Sequence, residues 1–338
     1  MDYRPLGMTG TQVTSLCLGT MTFGKETDED DAHAILDRYV DEGGNFIDTA
    51  DVYQEGVSET FIGRWLIKRG RRDDLVIATK VRFPMGDDPN DAGLSRRWIV
   101  KEVENSLRRL NSDYIDLYQA HCWDPLTPLE ETLAAFDELV TAGKVRYIGV
   151  SNFTGWQLQR ASLLAQVNGR APVVTLQPQY NLLAREIEWE LVELCLDEGI
   201  GMLPWSPLGG GWLTGKYKRE ERPTGDTRLG DDPERGVEAY DKRNTERTWT
   251  VLDAMDKVVA DRGDVSHSQV ALNWVTHRPG VSSTILGVRT LEQLEDNLAS
   301  ADWRLNEDET AALDQASDPG RPEYPYGFID EETASRRI

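Results

Sequence analysis

Eight times along the chain a short β-rich run is followed by a helical pattern, and this alternation limits the possible folds more than any other feature. The β-rich runs are 13–19, 46–50, 75–79, 114–119, 145–150, 173–176, 201–205 and 281–286. Helical patterns follow at 28–42, 58–68, 95–110, 129–142, 154–168 and 186–198, with a pair at 245–262 and 266–277 and two more at 291–300 and 306–316. The 95–110 stretch places apolar residues at 99, 100, 103, 107 and 110, the spacing of one helix face. Gly43 and Gly44 stop the first helix, Gly143 closes the fourth, and Ser58, with Phe61 and Ile62 behind it, reads as an N-cap. Alternation of this kind specifies a parallel sheet with helices outside. Eight units is the number that closes a (β/α)8 TIM barrel. An open doubly wound sheet is the alternative, but no dinucleotide fingerprint follows an early strand. The expected organisation of the 338 residues is one barrel domain over 1–338. The barrel proper covers about 13–300, a long loop at 207–243 follows strand seven, and an extra helix and tail occupy 301–338.

Composition narrows the function. Asp and Glu number 59 against 37 Lys and Arg, a net charge of −22 spread along the chain. With no basic stripe, neither nucleic acid nor an anionic membrane surface is an expected partner. The charge reads first as a solubilising surface and second as adaptation to salt. Cys17, Cys122 and Cys195 are odd in number and far apart, which points to a reducing, cytoplasmic setting without disulfides. The opening MDYRPLGMTG has no basic region before an apolar core, so no signal peptide is expected. No apolar run approaches the ~20 residues of a membrane span. The four histidines have no ligand spacing and no Cys-x-x-Cys exists, so no metal is expected. GGWLTGK at 210–216 imitates a phosphate-binding loop, but Tyr217 stands where Ser or Thr would hold magnesium.

In a barrel of this type the active site lies at the C-terminal ends of the strands. The second strand ends at Asp48, with Tyr53 five residues on. The third ends at Lys80, the fourth at His121, the fifth at Ser151 and Asn152, and the sixth at Gln177. The seventh ends at Trp205 and Ser206, and Gly287 and Arg289 follow the eighth. A tyrosine with a pKa near ~10 is a poor acid unless a cation stands beside it. Lysine supplies that cation, aspartate holds it charged, and histidine can donate to a carbonyl oxygen. Asp48, Tyr53, Lys80 and His121 therefore form a candidate proton-donor group for carbonyl reduction. No nucleophile paired with a base is evident.

The segments LGTMTFG, FIDTADVYQEGVSE, IATK, LYQAH, GKVRYIGVSNF, LQPQYN, WSPLGGGWLTGKY and ILGVRTLEQLEDNL resemble the aldo-keto reductase superfamily, in its longer-chain bacterial-type branch. The resemblance spans about 3–316. It implies a TIM barrel that binds NADPH or NADP+, with NADH less favoured, and a small-molecule carbonyl as substrate. It implies Tyr53 as the acid, Lys80 and Asp48 as its tuning pair, and His121 as the group that orients the carbonyl. Ser151, Asn152 and Gln177 match the residues that hold the nicotinamide carboxamide, and Trp205 the ring that stacks on it. Ser206, Pro207 and the loop from Leu208 through Gly210 to Lys216 match the pyrophosphate segment, where the N–H groups of Gly209, Gly210 and Gly211 could approach phosphate oxygens. Arg289, Gln293, Asp296 and Asn297 match positions around the adenosine, and Thr20, Met21 and Gly287 complete the expected cofactor set. A guanidinium at 289 suits a 2′-phosphate. Gln293 departs from the arginine that many members carry. Met21, Phe23, Phe83 and Trp123 are the expected walls of the substrate pocket, beside Tyr53 and His121. The tail aromatics Tyr324, Tyr326 and Phe328 are expected either to line that pocket or to pack beneath the barrel. Two rival functions are a redox-sensing subunit with little turnover and an alcohol or sugar dehydrogenase working oxidatively.

Overall fold

Phe46, Ala78 and Leu117 face one buried interior, while their neighbours Ile47, Ile77 and Tyr118 face another. This is the period-two alternation of strands buried on both sides. The structure is a computed structural model describing residues 1–335 apart from 220, 226, 233 and 235. Expectations for the 207–243 loop and the tail that fall on those positions or on 336–338 lie outside the described residues.

A hairpin of β1 (Tyr3–Pro5) and β2 (Gln12–Thr14) precedes the barrel strands β3 (Leu16–Gly19), β4 (Phe46–Asp48), β5 (Val76–Val81), β6 (Ile115–Ala120), β7 (Val145–Ser151), β8 (Val173–Gln177), β9 (Gly201–Met202) and β10 (Thr284–Gly287). The eight barrel strands are all parallel, in the order β10-β3-β4-β5-β6-β7-β8-β9. A parallel bridge between Met202 and Val281 and the Ile285 N–H to Pro204 O bond of 3.0 Å join the two ends. The result is the expected (β/α)8 barrel with helices around it.

Two apolar layers hold it. Cys17, Phe46, Val76, Ala78 and Leu117 fill the interior, and Leu6 and Val13 of the hairpin cap that cluster. A larger layer lies between strands and helices, with Trp65, Trp98 and Trp274 wholly buried. Each Leu, Ile or Phe buried there contributes about 1.5–3 kcal/mol.

The hairpin was not expected. The run 13–19 reads as one strand, but the chain breaks at Ser15, whose N–H donates to Asp2 O at 2.8 Å. Gly7 lets the hairpin turn seat against the barrel floor, since a Cβ there would stand 2.3 Å from Val174 O. Ser58 is also corrected. The helix Val57–Arg69 starts one residue before it, after Gly56. The Ser58 hydroxyl instead bonds Thr20 and Thr49, tying this helix to the ends of β3 and β4. Genuine N-caps are Asp28, Ser95, Thr245, Ser266 and Asn306. The stretch after β9 contains short helices at Gly209–Thr214, Arg228–Asp231, Gly236–Glu238 and Tyr240–Arg243. The tail forms a final helix, Phe328–Ser335. No helix among the described residues is long and apolar enough to cross a membrane.

Candidate active site

Inward parity carries past the apolar interior to the strand ends. Asp48 follows Phe46 by two residues, Lys80 follows Ala78, and Gln119 follows Leu117. Register sets Lys80 opposite Gln119, with Asp48 opposite Ala78, one inward-facing position earlier. All three are buried. Lys80 Nζ donates to Asp48 Oδ1 at 2.5 Å, Thr49 O at 2.8 Å and Tyr53 Oη at 3.1 Å, which uses all three of its protons. Asp48 Oδ2 accepts from Gln119 Nε2 at 3.2 Å and Gln177 Nε2 at 2.9 Å. The ion pair is therefore fully bonded, which a buried charge requires.

Burial alone would strip Lys80 of its proton, but Asp48 and Tyr53 outweigh it and hold the ammonium above the ordinary lysine range. Burial likewise pushes the Tyr53 phenol up, and Lys80 only partly offsets it. Tyr53 thus keeps its proton at neutral pH rather than being drawn below the ordinary tyrosine value. Burial, then the charges of Lys80 and Arg82, hold His121 well below the usual histidine range, so the ring is neutral. Its Nδ1 is buried without a hydrogen-bond partner. With the proton on Nε2 the ring leaves an acceptor rather than a donor unpaired at Nδ1, the less costly arrangement. Tyr53 and Phe83 both meet the His121 ring edge-on, at centroid distances of 5.9 and 4.7 Å.

These groups open into a cavity of about 630 Å³. At the chemical end it is lined by Asp48, Tyr53, Phe83 and His121, with Ser151, Asn152, Gln177, Thr20 and Met21 alongside. It continues past Trp205, Ser206, Pro207, Leu208, Gly210 and Lys216 to Gly287, Arg289, Gln293, Asp296 and Asn297. Asn152, at φ 56°, donates to His121 O at 2.9 Å and accepts the Trp205 indole N–H at 3.1 Å. Gln293 accepts the Arg289 N–H at 2.9 Å, and Arg289 lies 3.8 Å from Glu26. Asp296 accepts from Ser266 and Gln269.

Several expectations change. Phe23 does not line the cavity. Its N–H turns back to Thr20 O at 3.1 Å, and the ring is wholly buried between barrel and helices. Trp123 lies outside the lining, packed edge-on against Phe153 and Trp156. The glycine N–H groups of the phosphate-like loop are already engaged. Gly209 donates to Ser206 O, Gly210 to Ser206 Oγ and Gly211 to Leu208 O. The tail neither lines the cavity nor lies beneath the barrel. Tyr326 donates to Glu190 at 2.6 Å and rests beside Trp189, on the loop between β8 and its helix, while Tyr324 is 80 % exposed.

Two site residues were missed. Gln119 was legible as a polar residue two before His121, on the same strand face. Gln119 serves the site through Asp48 rather than on the cavity wall, whereas Glu238 lines the cavity, accepting from Ser206 Oγ at 3.3 Å and Arg243 Nε at 2.8 Å. Glu238 comes from an irregular stretch with no period to locate it.

The molecule is thus a (β/α)8 barrel whose strand ends carry a buried Lys–Asp pair, a tyrosine and a neutral histidine. The Aldo/keto reductase family model matches residues 15–318. The chain belongs to that family. It is 39% identical over 317 residues to the uncharacterized oxidoreductase YrpG of Bacillus subtilis, covering 91% of this chain and 93% of the relative. It is 37% identical over 310 residues to a probable voltage-gated potassium channel subunit beta of Arabidopsis thaliana, covering 89% and 92%. It is 32% identical over 339 residues to the norsolorinic acid reductase stcV of Emericella nidulans, covering 96% and 83%.

Proposed function

We propose that this oxidoreductase uses NADP(H) to reduce an aldehyde or ketone to the alcohol, with Tyr53 as proton donor. The observation that carries the reading is the single bonded chain Asp48–Lys80–Tyr53, ending in a hydroxyl on the cavity wall beside a neutral His121. The cavity's donor set suits an elongated ligand. Its lining includes the amide and hydroxyl residues Ser151, Asn152 and Gln177 and the cationic Lys216 and Arg289. Its volume of about 630 Å³ falls within the ~300–1,000 Å³ of small-molecule and cofactor sites. When bound, NADPH supplies the hydride, which is the difficult chemistry.

The residues of the chain do the rest. Gln177 commits its Nε2 to Asp48 and Gln119, which leaves its Oε1 as the group that could accept an amide N–H of a ligand. Asn152 fixes the Trp205 indole as a ring wall. Arg289 offers a charged fork to a 2′-phosphate, which favours NADPH over NADH. His121 donates from Nε2 to the carbonyl oxygen, and Tyr53 gives that oxygen its proton as negative charge develops there. Lys80 stabilises the phenolate that remains. Phe83 forms an apolar wall against His121, suited to an apolar or aromatic carbonyl.

The plant channel-subunit relatives, at 37% identity, favour a second reading in which the chain binds NADPH but turns over little and acts through a partner. NADPH oxidation against a panel of aldehydes, ketones and oxidised sugars, with NADH and Tyr53→Phe alongside, tests both. Turnover lost in the variant supports the reductase. Tight NADPH binding without turnover supports the sensor.

A further inference from the structure

The chain turns sharply just after Tyr53. Gln54 (φ 51°), Glu55 (φ 55°) and Gly56 (φ 89°) are three consecutive left-handed residues. For the two that carry side chains, such a conformation is costly and persists only where the surroundings over-determine it.

The surroundings here centre on Arg109. A Cβ on Gly56 would stand 2.5 Å from Arg109 Cδ, so the arginine stem lies directly against the turn. Its Nε donates to Glu59 Oε2 at 2.6 Å and its Nη2 to Glu102 Oε1 at 2.5 Å. Both carboxylates are wholly buried, and Thr79 donates to the remaining oxygen of Glu59 at 2.6 Å. One guanidinium thus ties the helix Val57–Arg69, which begins at the turn, to the helix Arg96–Leu110. Asp51 is a third buried acid close by. Burial, then Glu59 and Glu102, push its carboxyl well above the usual carboxylate range.

We infer that Arg109 is a positioning residue for Tyr53: by clamping Glu59 and Glu102 across Gly56, it holds the left-handed turn that keeps the phenol hydroxyl 3.1 Å from Lys80. This rests on the reading of Tyr53 as proton donor only for its catalytic consequence. A lysine should replace the arginine only in part, because it lacks the planar fork whose separate nitrogens reach Glu59 and Glu102.

The test uses Arg109→Met, Arg109→Lys and Gly56→Ala, each made with and without Tyr53→Phe. The ultraviolet difference titration of each pair isolates the Tyr53 phenol, while Lys80, Asp48 and His121 around it stay unchanged. With Arg109 in place the phenol titrates above the ordinary tyrosine value. In Arg109→Met and Gly56→Ala it is expected to fall toward the ordinary ~10 of a solvated tyrosine, with Arg109→Lys between. Carbonyl turnover should fall about tenfold to a hundredfold, the cost of a misplaced reacting group, while NADPH affinity changes less than about twofold. Lower thermal stability with an unmoved Tyr53 titration makes Arg109 merely structural and overturns the inference. If Arg109→Met does not fold, the other two variants carry the same comparison. If the titration moves but the unsubstituted protein reduces no carbonyl, the positioning role stands and the proposed reaction falls.

Discussion

Lys80 donates to Asp48 across 2.5 Å, and neither side chain is open to solvent. Breaking such a pair leaves one buried charge without compensation. Lys80→Met should therefore cost about 3–5 kcal/mol of stability as well as turnover. Adding Asp48→Asn should recover most of the stability and none of the activity. Urea denaturation of the two variants, beside a turnover assay, separates the structural from the chemical role of the pair.

Tyr53→Phe removes one hydroxyl from the cavity wall and the weakest of the three Lys80 bonds. NADPH affinity, read by the fluorescence of the bound nucleotide, should stay within about twofold, and turnover should fall by at least about a hundredfold, the lower end of what general acid catalysis contributes. A parallel loss of binding would show that the phenol serves the cofactor instead.

His121 is held neutral in the folded protein, with its pKa well below that of an exposed histidine. The unfolded chain takes up a proton below pH ~6.5, and the folded chain does not until much lower. Stability contributed by the neutral ring is therefore present above that pH and lost as pH falls, at up to about 1.4 kcal/mol per pH unit. Comparing urea midpoints at neutral and mildly acid pH should show a smaller acid-side loss in His121→Asn.

Arg289 stands at the cavity margin, 3.8 Å from Glu26. Charge-assisted hydrogen bonds of the kind it could form to a 2′-phosphate are worth about 1.5–3 kcal/mol. Arg289→Ala should weaken NADPH binding about tenfold to a hundredfold by that measure and leave NADH nearly unchanged. Equal losses for both nucleotides, measured by titration calorimetry, would remove Arg289 from the choice between them.

The strand ends were readable because Asp48, Lys80 and His121 each close a run whose alternation is set by the residues before it. Once Phe46 and Ala78 face inward, the side chains two positions on must do so as well. The same logic would have found Gln119 had it been applied backwards from His121. Phe23 was misplaced because nothing in TMTFG marks the turn in which its N–H returns to Thr20. Tyr3–Pro5 and Gln12–Thr14 are three residues each, too short to show a period. Glu238 lies in a stretch whose conformation depends on tertiary bonds to Ser206 and Arg243 rather than on local pattern.

The hairpin also bears on how the molecule is made. Its turn meets Val174, Gly199 and Ser282, and the adjoining β3 pairs with β10. The hairpin turn and β3 thus depend on partners far along the sequence, Ser282 and β10. Contacts of such sequence separation slow folding and prolong the exposure of unpaired edges. Until β10 docks, β3 keeps one edge unpaired, so the barrel closes only when both ends of its sequence meet.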